Sequence, residues 1–191
     1  MIGPPGTLIG EHARDRSATT VMDRADLLRE LEALHPDSFG WALACCRHDR
    51  EEAAEVLQTA YESVLDGRAR HDGRAVVRTW MFGVIRLTAL AHRRRRLVRW
   101  LRWERPLDGR DLPDVSADPA ASLARTESER SLVAALAALP RRQREVLHLV
   151  FYQDLSIREA AAVMGVSLGS ARTHYERGKA RLRELLPREA P

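Results

Sequence analysis

The stretch GVSLGSARTHYERGKARLRELL, residues 165 to 186, combines many basic side chains with one carboxylate, Glu176, near its middle. Arginine and lysine bind phosphates, and arginine also pairs bidentately with guanine, so the stretch is typical of a helix that lies on nucleic acid. A helix that only held phosphates would gain nothing from Glu176. Glutamate can accept a hydrogen bond from the N4 amino group of cytosine, which makes Glu176 a candidate for reading bases.

Helical periodicity divides this stretch into faces, because successive residues of an α-helix advance by about 100°. The inward side is expected to hold the small and apolar residues Ala171, Tyr175, Gly178, Leu182 and Leu185. The opposite side holds Thr173, Glu176, Arg177 and Ala180, and the flanks hold Arg172, Lys179 and Arg183 on one side and His174 and Arg181 on the other. Flanking cations can meet the phosphates on both walls of a major groove while the central residues face base edges.

The predicted DNA contacts of this helix are Arg172, Thr173, His174, Glu176, Arg177, Lys179 and Arg181. A second interpretation of Glu176 stays open, in which it only forms an intrahelical ion pair with Arg172 or Lys179. Such a pair stabilises a helix by about 0.2–0.5 kcal/mol.

The residues just before this helix predict a helix-turn-helix. Ser156 and Glu159 have the spacing of a capping box, Gly165 is the small residue that a tight turn needs, and Ala161 lets two helices approach closely. The rest of the chain also favours helix, because Ala, Leu, Arg and Glu dominate its 191 residues. We therefore expect an all-α protein.

Two helical domains are predicted, at residues 23–103 and 126–191, with a linker at 104–125 between them. The linker contains three prolines, one glycine and four aspartates, a composition typical of a flexible acidic segment. Residues 1–22 are expected to be a disordered extension, and they lack the pattern of a secretory signal.

The first domain contains two surfaces of opposite charge. Residues 49–67 predict a helix that begins with a capping box at Asp49 and Glu52, ends at Gly67 and carries an acidic outer face. A long helix from residue 74 to 103 is apolar in its first half and carries an arginine run, 93–96, in its second. Trp80 and Phe82 are expected to offer stacking surfaces beside this run, which favours nucleic-acid contact over a merely solvated face.

No metal, cofactor or membrane span is expected. Cys45 and Cys46 are adjacent, so they do not indicate a disulfide framework, and a reducing, cytoplasmic compartment fits them best. Further ligands at tetrahedral spacing are not evident beside them, and the chain has no apolar run long enough to cross a bilayer.

The chain resembles the extracytoplasmic-function group of bacterial RNA polymerase sigma factors. The resemblance rests on three blocks in order: DREEAAEVLQTAY, VRTWMFGVIRLTALAHRRRR and ALAALPRRQREVLHLVFYQDLSIREAAAVMGVSLGSARTHYERGKARLREL. They span most of residues 23 to 186, and two such blocks joined by an acidic linker of this length are specific to the family.

The resemblance implies that this chain lends promoter recognition and DNA melting to core RNA polymerase without catalysing a reaction itself. Binding to the clamp helices of the β′ subunit is implied for the acidic face, at Glu51, Glu55, Gln58 and Thr59. Recognition and melting of the −10 promoter element are implied for Arg70, His71, Asp72, Arg74, Trp80, Arg86, Thr88, Arg93 and Arg94. The second domain is expected to contact the β flap and to read the −35 element, and a cognate anti-sigma factor is an expected partner.

Three positions depart from the family pattern. Leu87 stands where a polar Asn is frequent, His174 where a basic residue is usual, and Gly178 where Ala is more usual. These departures are expected to affect promoter choice. The alternative function is a freestanding helix-turn-helix transcription regulator, which would not need the acidic helix or the linker. A metal or redox sensor built on Cys45 and Cys46 is a third interpretation.

Overall fold

The computed structural model describes residues 23–73, 75–103 and 127–186. Within those ranges the chain forms eight α-helices and no strand, which confirms the all-α prediction. The helices are α1 (Arg24–Ala33), α2 (His35–Cys45), α3 (Arg50–Leu65), α4 (Val77–Trp103), α5 (Glu127–Ala137), α6 (Arg141–Phe151), α7 (Ile157–Met164) and α8 (Leu168–Leu185). The predicted extension at 1–22 and the predicted linker at 104–125 lie outside the described residues.

Helix starts follow the expected caps, with one difference. The Asp49 carboxylate accepts from the backbone N–H of Glu52 at 3.0 Å, as an N-cap should. The return bond of a capping box is not formed, because the N–H of Asp49 donates to the carbonyl of Cys46 at 3.1 Å. The Glu52 carboxylate instead contacts His92 and Arg96 on α4, so it ties two helices together.

The two predicted halves of the chain pack directly against each other. Trp41 of α2 is fully buried, and its indole N–H donates to the backbone carbonyl of Phe82 in α4 at 2.9 Å. Its ring also lies 5.4 Å, between centroids, from the ring of His148 in α6. One buried apolar cluster includes residues of both halves, among them Val146 and Met164. The two halves therefore share a core, which was not expected from the sequence.

The long helix α4 changes its environment along its length. Its first half buries an apolar stripe, formed by Val77, Met81, Phe82, Ile85 and Ala89. From Arg93 to Arg99 the side chains are exposed. Phe82 is completely buried, so the expectation that it offers a stacking surface to nucleic acid is wrong. None of the helices in the described ranges is both long and apolar enough to cross a membrane.

Candidate nucleic-acid interface

The helix-turn-helix predicted for the second half is formed by α7 and α8. Ser156 Oγ accepts from the N–H of Glu159, and the Glu159 carboxylate accepts from the N–H of Ser156 at 2.8 Å, so the predicted capping box is complete. Gly165 ends α7 with φ of 62°, a left-handed conformation that glycine adopts without strain. Ser167 then caps α8 by accepting from the N–H of Ser170 at 3.1 Å. These local bonds fix the angle at which α8 leaves the turn.

The inner face of α8 packs as predicted. Ala171 and Gly178 are buried, and the Tyr175 ring stacks on Phe151 of α6 with centroids 5.9 Å apart. A Cβ atom on Gly178 would lie 3.1 Å from Cδ1 of Leu147, so a larger residue would require Leu147 and Gln143 of α6 to move by a few tenths of an ångström. The expectation that Gly178 affects promoter choice is therefore corrected: it faces the core and serves helix packing.

The outer face of α8 is open to solvent. Arg172, Thr173, Glu176, Arg177 and Arg181 are exposed, and His174 and Lys179 are half-buried. Thr173 donates its hydroxyl to the carbonyl of Gly169 at 3.0 Å, and Arg181 pairs with Glu184 at 2.7 Å. Within residues 23–73, 75–103 and 127–186, Arg172 and Arg177 have no ion-pair partner.

Glu176 lies mid-face and its side chain is 66% exposed, with the ammonium nitrogen of Lys179 at 3.1 Å. Lys179 also lies 4.4 Å from the centroid of the Tyr175 ring. The ion pair of the second interpretation is thus present. It does not remove Glu176 from the outer face, so both interpretations of this carboxylate stay open.

In the first half, the loop before α4 brings several predicted residues together. The His71 ring nitrogen lies 2.6 Å from the carbonyl oxygen of Ala75, and its ring meets the half-buried Trp80 ring edge-on at 5.2 Å. Arg70 donates to the carbonyl of Gly67 at 3.1 Å, and Asp72 is exposed. Arg74 lies outside the described residues.

Two other predicted contacts differ in accessibility. Thr88 is half-buried and donates to the carbonyl of Val84, whereas Arg86 is only 5% exposed and donates through Nε to Glu145 at 3.1 Å. Leu87 lies between them in sequence and is 64% exposed. Glu145 was not expected from the sequence, although its spacing from Arg141 on α6, four residues apart, is that of an intrahelical ion pair.

Arg93 and Arg94 are exposed on α4, as expected of the arginine run. The pKa of Arg93 is lowered mainly by burial of part of its side chain and further by the positive charges of Arg141 and Arg47. The arginine run therefore lies close to further cations from both halves of the chain.

An open cavity of about 570 Å³ lies where α2, α4 and α6 meet, and both cysteines line it together with Trp100. Burial raises the pKa of Cys45 well above its usual value and that of Cys46 to about 12. Both thiols are therefore protonated and weak nucleophiles. Among the described residues there is no group of three or more His, Cys, Asp or Glu side chains that could hold a metal ion.

The acidic face of α3 carries the remaining predicted contacts. Glu51, Glu55 and Gln58 are exposed and Thr59 is half-buried. Glu55 lies 3.1 Å from the ring of His92, and Gln58 donates to Glu62 at 3.0 Å. The four predicted residues thus lie within two and a half turns of one helix, on a surface separate from the outer face of α8.

Comparison with known proteins places this geometry in a family. Residues 129–182 match the family model described as Sigma-70, region 4. The chain is 32% identical over 137 residues to the ECF RNA polymerase sigma factor RpoE of Cereibacter sphaeroides, which covers 70% of each chain. It is 30% identical over 165 residues to the RNA polymerase sigma factor CarQ of Myxococcus xanthus, covering 84% of this chain and 90% of CarQ.

A solved structure supports the same fold. The sigma factor RpoE from Bartonella quintana, in a complex with the anti-sigma factor NepR, superimposes with a TM-score of 0.67 at 22% identity. The match covers 84% of this chain and 96% of that one. The identity to the Cereibacter and Myxococcus proteins over most of their length, together with the region 4 helix-turn-helix, shows that this chain belongs to the extracytoplasmic-function family of RNA polymerase sigma factors.

Proposed function

We propose that this sigma factor directs core RNA polymerase to its promoters by reading the −35 element with the outer face of α8. The observation that carries the proposal is the exposed set of Thr173, Glu176 and Arg177, with Arg172 and Lys179 along one edge. Arg177 has the donor geometry for guanine, and Ala180 is small enough for α8 to lie deep in a major groove. The cations at the edge would then bind phosphates and fix the register of the helix.

Glu176 would contribute base selectivity. Its pair with Lys179 is exposed, and exposed ion pairs contribute only about 0–1 kcal/mol. Separating them at the DNA surface would therefore cost little. Lys179 would turn to a phosphate, and the Glu176 carboxylate would accept from the N4 amino group of cytosine.

The first half would recognise and melt the −10 element. The supporting observation is the cluster of His71 and Trp80 at the start of α4, followed along the same helix by Thr88 and the exposed Arg93 and Arg94. An aromatic surface beside cations suits an unstacked base and its backbone. Arg70, Asp72 and Arg74 belong to the same proposed surface, and Arg86 would join it only once it is released from its buried position.

The acidic face of α3, at Glu51, Glu55, Gln58 and Thr59, would bind the clamp helices of the β′ subunit, and the second half would contact the β flap. The protein would act as a specificity subunit in the cytoplasm, with the bond chemistry left to the polymerase. An anti-sigma factor is a proposed further partner, because the structurally similar Bartonella protein was solved in a complex with one.

The test is core-dependent transcription. The purified chain would be mixed with core polymerase and a library of promoter fragments, and the transcripts would be sequenced. Initiation that requires both components and selects a −35 and a −10 sequence is expected. Tight binding to duplex DNA by the chain alone, without core-dependent transcription, would indicate a freestanding regulator instead.

An Arg177→Ala variant connects the activity to α8. We expect it to lose selectivity at one −35 position, because one bidentate base contact contributes about 1–3 kcal/mol of discrimination. Arg24→Ala, which removes an exposed arginine from α1, is the matched control and should behave as the wild type.

A further inference from the structure

The two halves of the chain are joined by a buried ionic contact. Glu145 of α6 is 5% exposed, and its two carboxylate oxygens bind different arginines: Arg86 of α4 at 3.1 Å and Arg141 of α6 at 2.9 Å. Arg86 is itself 5% exposed. The carboxylate thus joins the first half of the chain to the second through an ion pair whose two side chains are both nearly removed from solvent.

A second polar contact joins the halves independently. Gln153, in the turn between α6 and α7, is buried. Its amide oxygen accepts from Arg78 of α4 at 3.1 Å, and its amide nitrogen donates to the carbonyl of Asp37 in α2 at 3.5 Å. Both contacts have their partners in different halves, so both are lost if the halves separate.

In the docked arrangement Arg86 faces Glu145 and is closed off from nucleic acid. Its Nε–H donates to Glu145, and its whole side chain is only 6% exposed. At 5% exposure, Arg86 is also out of reach of a DNA strand in the docked arrangement. Any role of Arg86 at the −10 element therefore needs the two halves to separate.

We propose that Glu145 is an intramolecular latch that holds the sigma factor in a docked resting state and occupies Arg86 in place of DNA. The inference rests on the proposed function, because it takes Arg86 to be part of the −10 surface. Separation of α6 from α4 breaks the Arg86 contact and leaves Glu145 with Arg141 alone. Core polymerase or promoter DNA would favour the separated state by binding surfaces that exist only there.

Buried charge suits a contact that must open. A buried ion pair adds little net stability compared with apolar residues of the same volume, since the desolvation of both charges offsets their attraction. Loss of one partner is nevertheless strongly unfavourable, because the other charge stays buried and unpaired. The contact is therefore specific for one docked geometry without making that geometry irreversible.

The test compares the shape and DNA binding of full-length variants. We expect Glu145→Gln and, independently, Gln153→Ala to give a larger radius of gyration in small-angle X-ray scattering than the wild type. Both should bind a fluorescein-labelled single-stranded DNA of mixed sequence about threefold or more tightly than the wild type. The reason is that a larger fraction of the molecules would be in the separated state, which can bind DNA. Glu32→Gln, which removes an exposed carboxylate from α1, is the matched control.

The charge-exchanged double variant, Arg86→Glu with Glu145→Arg, completes the design. It places a carboxylate opposite Arg141 and the new arginine, so we expect the compact shape to return while single-strand binding stays weak. Circular dichroism checks that every variant keeps its helices, and Gln153→Ala carries the test if Glu145→Gln does not fold. Folded variants with the wild-type scattering profile and affinity would overturn the latch. Absence of core-dependent transcription by the wild type would instead contradict the proposed function.

Discussion

The ammonium nitrogen of Lys179 lies 3.1 Å from a carboxylate oxygen of Glu176, one turn away on the outer face of α8. In the free protein this pair neutralises the carboxylate in the middle of a face that also carries Arg172 and Arg177. Because both groups can turn outward, the pair is compatible with a base contact by Glu176 and a phosphate contact by Lys179. The pair is also the simplest alternative explanation for the carboxylate, in which Glu176 only stabilises the helix. Mutation can distinguish this structural role from base reading.

Glu176→Ala should change the preferred base at one upstream promoter position, because it removes an acceptor in the middle of the face. Arg183→Ala should weaken binding to all sequences alike, as loss of a phosphate contact does. It should also reduce the slope of the logarithm of the binding constant against the logarithm of the salt concentration by about one. Selection from promoter libraries at two salt concentrations would measure both effects. An equal loss on all sequences from Glu176→Ala would support a purely structural ion pair.

The Gly178→Ala variant should have a lower free energy of unfolding than a variant with the same substitution at a glycine that has room for a methyl group. Replacing glycine by alanine in a helix interior stabilises by about 1 kcal/mol. At Gly178 the added methyl group meets Leu147 and Gln143 at 3.1–3.3 Å, and overpacking of this kind costs about 1–3 kcal/mol. Gly83→Ala in α4 is the control, since nothing lies within 4 Å of its added Cβ. Urea unfolding would compare the two, and equal stabilisation by both would contradict close packing at Gly178.

Ser156→Ala should cost about 1 kcal/mol by removing the N-cap of α7. Hydrogen bonds from the Ser156 hydroxyl, and then from its backbone N–H, lower the pKa of Glu159. The variant should therefore also raise the pKa of Glu159, which carboxyl NMR titration would follow. Ser167→Ala removes the cap of α8 instead and should leave the Glu159 titration unchanged. A Glu159 titration that is unaffected in Ser156→Ala would show that the box is not formed in solution.

Stability should fall between about pH 6.5 and pH 4 because of His148. Burial, and secondarily the charge of His48, lower the pKa of His148 from 6.5 to about 4. In this range the unfolded chain binds a proton at His148 that the folded chain does not bind. The free energy of unfolding is therefore highest above about pH 6.5 and decreases as the pH falls toward about 4. We expect the free energy of unfolding of the wild type to fall by roughly 1–3 kcal/mol across this range because of His148. The measurement is the difference between the unfolding free energies of the wild type and His148→Asn at each pH. A difference that does not vary with pH would contradict a neutral, buried His148.

Cys45 and Cys46 should react slowly with iodoacetamide at pH 8. Burial raises the pKa of both thiols, so the reactive thiolate is scarce in the folded protein. Mass spectrometry should show alkylation severalfold slower than in urea-unfolded chain. Rapid modification of the folded protein would instead support a redox role for Cys45 and Cys46.

Local features of the fold could be predicted from the sequence because local rules determine them. The capping box at Ser156, the left-handed Gly165 and the inward face of α8 each follow from spacing and residue type. The contact of Arg86 with Glu145 could not be predicted, since 59 residues separate the partners and nothing in either helix specifies the other. Phe82 shows the same limit: an aromatic residue beside arginines suits nucleic acid, yet Phe82 is buried in the shared core next to Trp41.

The shared core has a consequence for modularity. Trp41 contacts Phe82 in its own half and His148 in the other, so its environment is completed only when both halves come from the same chain. A chimera that exchanges only the outward residues of α8 with a relative would keep this core. A chimera that exchanges the whole second half would instead pack the first half of one protein against the second half of another, and the two surfaces would not be matched. Promoter preference should therefore be transferable between such proteins by small grafts, whereas the resting conformation belongs to the intact chain.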